Sequence, residues 1–254
     1  MYRVDEIVEV LTPIELGVFA EYLFRRDPLG HKVPVEQRNA LIAGALACGL
    51  QEAEQLKTSG SLPTSDTITQ TSFCASPLRA DAGDAVAESQ EIERYLIDQG
   101  VTVTVVADAA RLPGYVELAR YVADGPGGSI EINGTMLQHL ESVTAELGLT
   151  TAELRQVILA HELFHHFETH SPEMFTQQAH IPTWKLFGYQ HYNTSKALSE
   201  IAATAFAQKL TGLTYSPNVI EIVAAQLNNP ELGEQLVNEV RALLVAPLGQ
   251  VHSA

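Results

Sequence analysis

Thiol and positive charge are both scarce in this sequence. Of its 254 residues only Cys48 and Cys74 are cysteines, and their spacing is not that of a C-x-x-C pair. Neither a disulfide framework nor a thiolate zinc site is therefore expected. Lysine and arginine number 15 against 31 aspartates and glutamates, a formal net charge of −16. That charge repels phosphate backbones and anionic lipid alike, so no direct nucleic-acid or membrane partner is expected. Long apolar runs are missing too. The best, Ala40 to Leu50, contains two glycines and falls short of the roughly 20 residues that span a bilayer. The opening stretch MYRVDEIVEV carries acids where a secretory leader has a basic segment, and with so little cysteine a cytoplasmic setting is expected. Aspartate, finally, does not occur after Asp124.

What is present is an ordinary globular composition, 46% hydrophobic, enough to bury a sizeable core. Ile14 to Phe24 and Val35 to Leu56 show apolar residues at helical spacing, punctuated by Pro28, Gly30 and Pro34. Residues 1–57 read as a helical N-terminal region. Residues 58–84 are rich in Ser, Thr, Asp, Pro and Gly and read as a linker or long surface loop. A core follows over 85–211, and a helical C-terminal region over 212–254. Within the core, Ala85 to Gln99 is amphipathic and stops at Gly100, and Val101 to Ala107 is a β-branched alternating run. Further strands are expected over Tyr115 to Val122 and Ser129 to Asn133, on either side of the turn-forming Asp124 to Gly128. These three form an expected small antiparallel sheet, and everything after Met136 reads as helical or irregular. The fold class is α+β.

The chemistry lies in HELFH, residues 161–165. Thr150 and Glu153 have capping-box spacing, so a helix should start there and run through Leu154, Val157 and Ile158 to about His170. On such a helix His161 and His165 project from one face a turn apart, which lets both imidazoles reach one zinc ion at about 2.0–2.1 Å. Glu162 stands beside the ion rather than on it, where it can take a proton from a water. Three polar side chains in so apolar a helix need a reason to be buried, and metal coordination is one.

A third protein ligand is required, and several types can be sorted. HExxHxxGxxH fails, because Glu168 stands where glycine should be and Ser171 where the third histidine should be; His170 misses by one. Aspartate is excluded by its absence. Glutamates and the histidines of the following segment remain. The strongest is Glu200, on a second apolar helix (Ser195 to Leu210) with 34 residues between it and His165, and small Ala202 and Ala203 beside it permit close helix approach. Glu221 is the next candidate.

With these residues in place, about half the chain, Ala85 to Leu210, resembles the ImmA/IrrE-like metallopeptidases, a gluzincin group. The resemblance rests on the strand GSIEIN from Gly128 to Asn133, the segment RQVILAHEL from Arg155 to Leu163, and the helix EIAATAFAQKL from Glu200 to Leu210. It implies that His161, His165 and Glu200 bind Zn2+, that Glu162 is catalytic, and that a small antiparallel sheet packs on the HExxH helix. Two departures stand out. Phe164 replaces the usual glycine, and Thr204 stands where asparagine often follows the glutamate by four positions.

The expected function is that of a zinc-dependent peptidase acting on an intracellular protein or peptide, such as a regulatory protein. The alternative is a zinc-binding regulatory or partner-binding protein with little or no peptidase activity. The segment from Phe175 to Tyr192 concentrates aromatics (Phe175, Trp184, Phe187, Tyr189, Tyr192), which reads as a substrate pocket, a lid or plain packing. Tyr189, His191, Tyr192 and His180 are candidates to stabilise an oxyanion. The strand from Ser129 to Asn133 is a candidate to pair with an extended peptide.

Overall fold

In a computed structural model covering residues 2–59, 91–107, 116–125, 127–186 and 189–245, apolar residues at helical spacing become helices over most of the chain. The first part holds α1 (Val4–Leu11), α2 (Leu16–Arg26) and the long α3 (Val35–Thr58). Pro34 sits at the start of α3, where its missing N–H costs nothing. Most of the Ser/Thr-rich stretch expected as a linker lies outside the described residues; α3 itself continues through Thr58. The helix expected from Ala85 is described over Glu91–Asp98 (α4), and Gly100 after it adopts φ 79°, the left-handed conformation that glycine takes without strain.

Three strands follow: β1 (Thr102–Val106), β2 (Ala119–Val122) and β3 (Ser129–Asn133). They lie in the order β1-β3-β2, with β2 antiparallel to β3 but β1 parallel to it. The sheet is thus mixed, not antiparallel as expected. Alternation and turn signals mark where strands are, but they do not say which neighbour a strand takes. Ile130 and Ile132 of β3 are fully buried, so β3 takes the centre and β1 and β2 flank it. The strand at the edge on the cavity side is accordingly β2, while Ser129 to Asn133, the candidate for pairing with a peptide, lies in the centre.

The remaining elements are α5 (Gly134–Glu141), α6 (Thr144–Leu147), α7 (Thr151–His170), α8 (Phe175–Gln178), a hairpin of β4 (His180–Leu186) and β5 (Tyr189–Thr194), α9 (Lys196–Thr211), α10 (Asn218–Asn228) and α11 (Pro230–Val245). The β4–β5 pair is antiparallel and corrects the expectation of no strand after Met136. The aromatics noted there are also strong strand formers, which is the signal that was read only as packing. The architecture is α+β and mostly helical. No helix among the described residues is long and apolar enough to cross a membrane.

Helix α9 lies against α3 on one side and α7 on the other. A Cβ on Gly49 of α3 would stand 2.0 Å from the Ala202 carbonyl oxygen, so only glycine allows the two backbones this close. On the other side Phe206 packs its ring 5.7 Å from Phe164 and 5.9 Å from Phe167, all centroid to centroid. The first turn of α9 is fixed from a distance: Asp27, buried after α2, accepts from the Ser195 hydroxyl at 2.5 Å and the Ala197 backbone N–H at 3.0 Å. A carboxylate there satisfies an orphan donor and suits the positive end of the helix dipole. Ile7 and Leu11 of α1 and Val237 and Val240 of α11 share one buried cluster with Phe164 and Phe206, so both ends of the chain help to clamp the central helices.

Candidate metal centre

The helix carrying HELFH begins where the capping box places it. Thr150 donates its backbone N–H to Glu153 at 2.7 Å, and the Glu153 N–H returns to the Thr150 hydroxyl at 3.2 Å. Arg155 then makes a two-pronged ion pair with Glu93 of α4, at 3.0 and 2.9 Å, and the Gln156 amide oxygen accepts from the Ile92 N–H. Leu154, Leu159, Leu163 and Phe164 are fully buried. With that face committed to the core, the face bearing His161 and His165 turns toward α9.

Three side-chain atoms converge there. Nε2 of His161 and Nε2 of His165 are 3.2 Å apart, and Oε2 of Glu200 lies 3.1 Å from the first and 3.9 Å from the second. Among the described residues this is the one group of three His, Cys, Asp or Glu side chains disposed to hold a metal ion. A tetrahedral ion bonded at about 2.0–2.1 Å keeps its donors about 3.3–3.4 Å apart. The three separations bracket that value, and the donor set, two imidazoles and one carboxylate, is one that zinc accepts with a fourth position left open. Two ring nitrogens facing each other at hydrogen-bond distance also need something positive between them. Glu221, the runner-up, lines the same cavity but is not one of the three.

In the metal-free arrangement a proton fills that need. Burial alone would lower the pKa of His161, but the hydrogen bond and charge of Glu200 outweigh it and raise it to about 9. Burial would likewise raise Glu200, and its bond to His161, with the charges of His161 and His165, instead brings it down to about 2. Glu162 moves the other way: burial pushes its carboxyl up, opposed by the charges of His161 and His165 and by a hydrogen bond from the Tyr121 backbone. Glu221 is also raised, chiefly by burial and against the pull of His161. The Asn218 amide donates to it at 3.2 Å.

The cluster opens onto a cavity of about 290 Å³ lined by α7, α9, the start of α10 and the stretch from Val116 to Tyr121 that becomes β2. Glu162 lines it beside the two histidines. Asn133, at the end of β3, anchors that stretch: its backbone N–H donates to Leu118 at 2.8 Å and its amide to Glu117 at 3.2 Å, while its Oδ1 caps α5 at Met136. The asparagine that ended the expected strand is thus the residue that holds the cavity wall. Thr204, in contrast, is buried, and its hydroxyl finds no partner among the described residues.

His180, His191 and Tyr192 do not line the cavity, and the side chain of Tyr189 lies outside the described residues, as does Phe187. Ser199, Glu168 and Tyr121 line it instead, and none of them was read as part of the site. Glu168 lies three residues beyond His165 and Ser199 immediately precedes Glu200, so helical geometry alone places both near the donors. Only the docking of α9 on α7 shows that they meet. No family model, curated protein or solved structure matches the chain.

Proposed function

We propose that this protein is a zinc-dependent peptidase of the gluzincin kind, similar to the ImmA/IrrE-like group, that hydrolyses a protein or peptide in the cytoplasm. The observation that carries the reading is the convergence of His161 Nε2, His165 Nε2 and the Glu200 carboxylate in a cavity that Glu162 also lines. On this reading α7 is the active-site helix and the small sheet its neighbouring wall. Bound zinc would supply a Lewis acid that polarises the scissile carbonyl and acidifies a water. Glu162 takes the proton from the attacking water and passes it to the leaving amine. The outer edge of β2 runs along the cavity, and an extended substrate can align there by strand addition.

The test is Glu162→Gln assayed on a denatured protein and a random fluorogenic peptide pool. Cleavage should fall by about two to four orders of magnitude with zinc still bound. Undiminished cleavage by the zinc-loaded variant overturns the assignment of Glu162. Stoichiometric zinc with no cleavage by either form supports the zinc-binding regulatory reading instead.

A further inference from the structure

Behind His165 lies a second polar arrangement that the proposed chemistry does not use. Nδ1 of His165, the nitrogen turned away from Glu200, is 3.2 Å from the Ser199 hydroxyl and 3.4 Å from Oε2 of Glu168. The Ser199 hydroxyl donates to that same Glu168 oxygen at 2.6 Å. Since Ser199 spends its one hydrogen on the carboxylate, its lone pair faces His165, and the imidazole must supply the proton. The order of donors therefore runs from His165 Nδ1–H to Ser199 to Glu168. That fixes the tautomer with a bare Nε2 aimed at Glu200.

Glu168 is buried, 7% exposed, with His165, Ser199 and Thr176 as its polar side-chain neighbours. A buried carboxylate is costly unless polar groups hold it, and the group it meets here is the back of the His165 ring. Its Oε2 lies against the back of the His165 ring, bridged by the Ser199 hydroxyl.

We infer that Glu168 and Ser199 are positioning residues for His165, a carboxylate–serine pair that fixes the ring's tautomer and angle and raises the electron density at Nε2. The inference rests on the reading of His165 as a zinc ligand. Partners behind a ligating imidazole typically change metal affinity by about 10- to 100-fold when removed. Because Ser199 and Glu200 are adjacent, one turn of α9 supplies both a donor atom and the group that orients another, so the docking of α9 sets the geometry of the cluster twice over.

The experiment uses the full chain and Glu168→Ala, Glu168→Gln and Ser199→Ala, with Glu173→Gln on the exposed surface as control. Zinc affinity is read by chelator competition. The visible spectrum of the cobalt-substituted protein reports ligand geometry. Nitrogen-15 NMR of the histidine rings in the metal-free chain reports the His165 tautomer without any metal. Glu168→Ala should weaken zinc by about 10- to 100-fold, with Glu168→Gln, which keeps an acceptor but loses the charge, lying between it and wild type. Ser199→Ala, which keeps the backbone and nearly the volume, should alter the cobalt spectrum and mix the His165 tautomers. Wild-type affinity, spectrum and tautomer in both Glu168→Gln and Ser199→Ala overturn the inference, and these two isosteric changes answer even where Glu168→Ala fails to fold. If wild type binds no zinc, the peptidase reading falls, while the tautomer measurement still decides the inference.

Discussion

Helix α7 carries two histidine pairs at the same spacing, His161 with His165 and His166 with His170, and they do different things. The second pair brings its rings closer, 4.6 Å between centroids against 5.0 Å in the first. Yet no third His, Cys, Asp or Glu joins it among the described residues. Nδ1 of His166 meets the Tyr121 hydroxyl at 3.2 Å, which itself donates to the Gly127 carbonyl, and Nδ1 of His170 donates to the His166 carbonyl one turn back. The first pair faces α9, which brings Glu200 between the rings and Ser199 behind one of them; the second faces the sheet, which offers a phenol and a carbonyl. Spacing makes a pair of imidazoles available, and the neighbouring element decides whether a carboxylate joins them.

The largest effects should therefore separate the pairs. Glu200→Ala or His165→Ala should remove stoichiometric zinc, measured by metal analysis after gel filtration, whereas His170→Ala should leave it in place. Loss of zinc from the His170 variant breaks the contrast. Loosening the seam between the two helices should come next. Phe206→Ala, at a fully buried ring touching Phe164 and Phe167, should cost about 3–5 kcal/mol in urea unfolding, the usual price of deleting a core aromatic. Asp27→Ala, which strips the distant cap from the α9 N-terminus, should cost about 1–2 kcal/mol by the same measurement, and zinc affinity should fall in step because α9 carries Glu200.

The contrast between the pairs also explains what could be read in advance. The helix of HELFH announced itself through the Thr150–Glu153 box, and Glu200 stood out as a carboxylate on an apolar helix with small neighbours. Those are local features, and they point to the three side chains that the fold brings together. The strand from Ser129 to Asn133 was equally legible, since Ile130 and Ile132 alternate with polar residues. Its place in the centre of a mixed sheet was not, because strand order depends on contacts among segments far apart in sequence. Glu168 illustrates the same limit within the site. In the sequence it counted only as the residue that breaks a glycine-containing motif, and its role appears when Ser199 of another helix is laid against it. The β4–β5 hairpin was missed for a different reason, in that aromatic residues serve a strand, a pocket wall and a core equally well.

Protonation gives a subtler comparison. His161 is held protonated up to about 9 by Glu200, whereas burial and, next, the charge of His170 push His166 below its ordinary value. For His161 the folded pKa is raised, so the stability it gives the metal-free protein is fully present below the unfolded value of 6.5 and is lost as pH rises through about 9. Glu200, brought down to about 2, keeps its charge throughout that range. On the proposed reading zinc would displace the His161 proton, so its affinity should rise about tenfold per pH unit just below pH 9. Calorimetry at pH 7.5 in buffers of different ionisation enthalpy should show about one proton released per ion. Release of none overturns the proton-filled picture of the metal-free cluster.

The smallest expected effect tests the second pair directly. Tyr121→Phe keeps the ring and the backbone N–H that reaches Glu162, and removes only the hydroxyl that His166 meets. One hydrogen bond of this kind contributes about 0.5–1.5 kcal/mol, so thermal unfolding should register a modest loss. Zinc affinity should stay within about twofold of wild type, since nothing behind His161 or His165 has changed. A drop as large as that expected for Glu168→Gln would mean that His166 and the phenol transmit to the metal ligands through α7 itself. The two pairs would then be one network, and the face each presents would matter less than the helix they share.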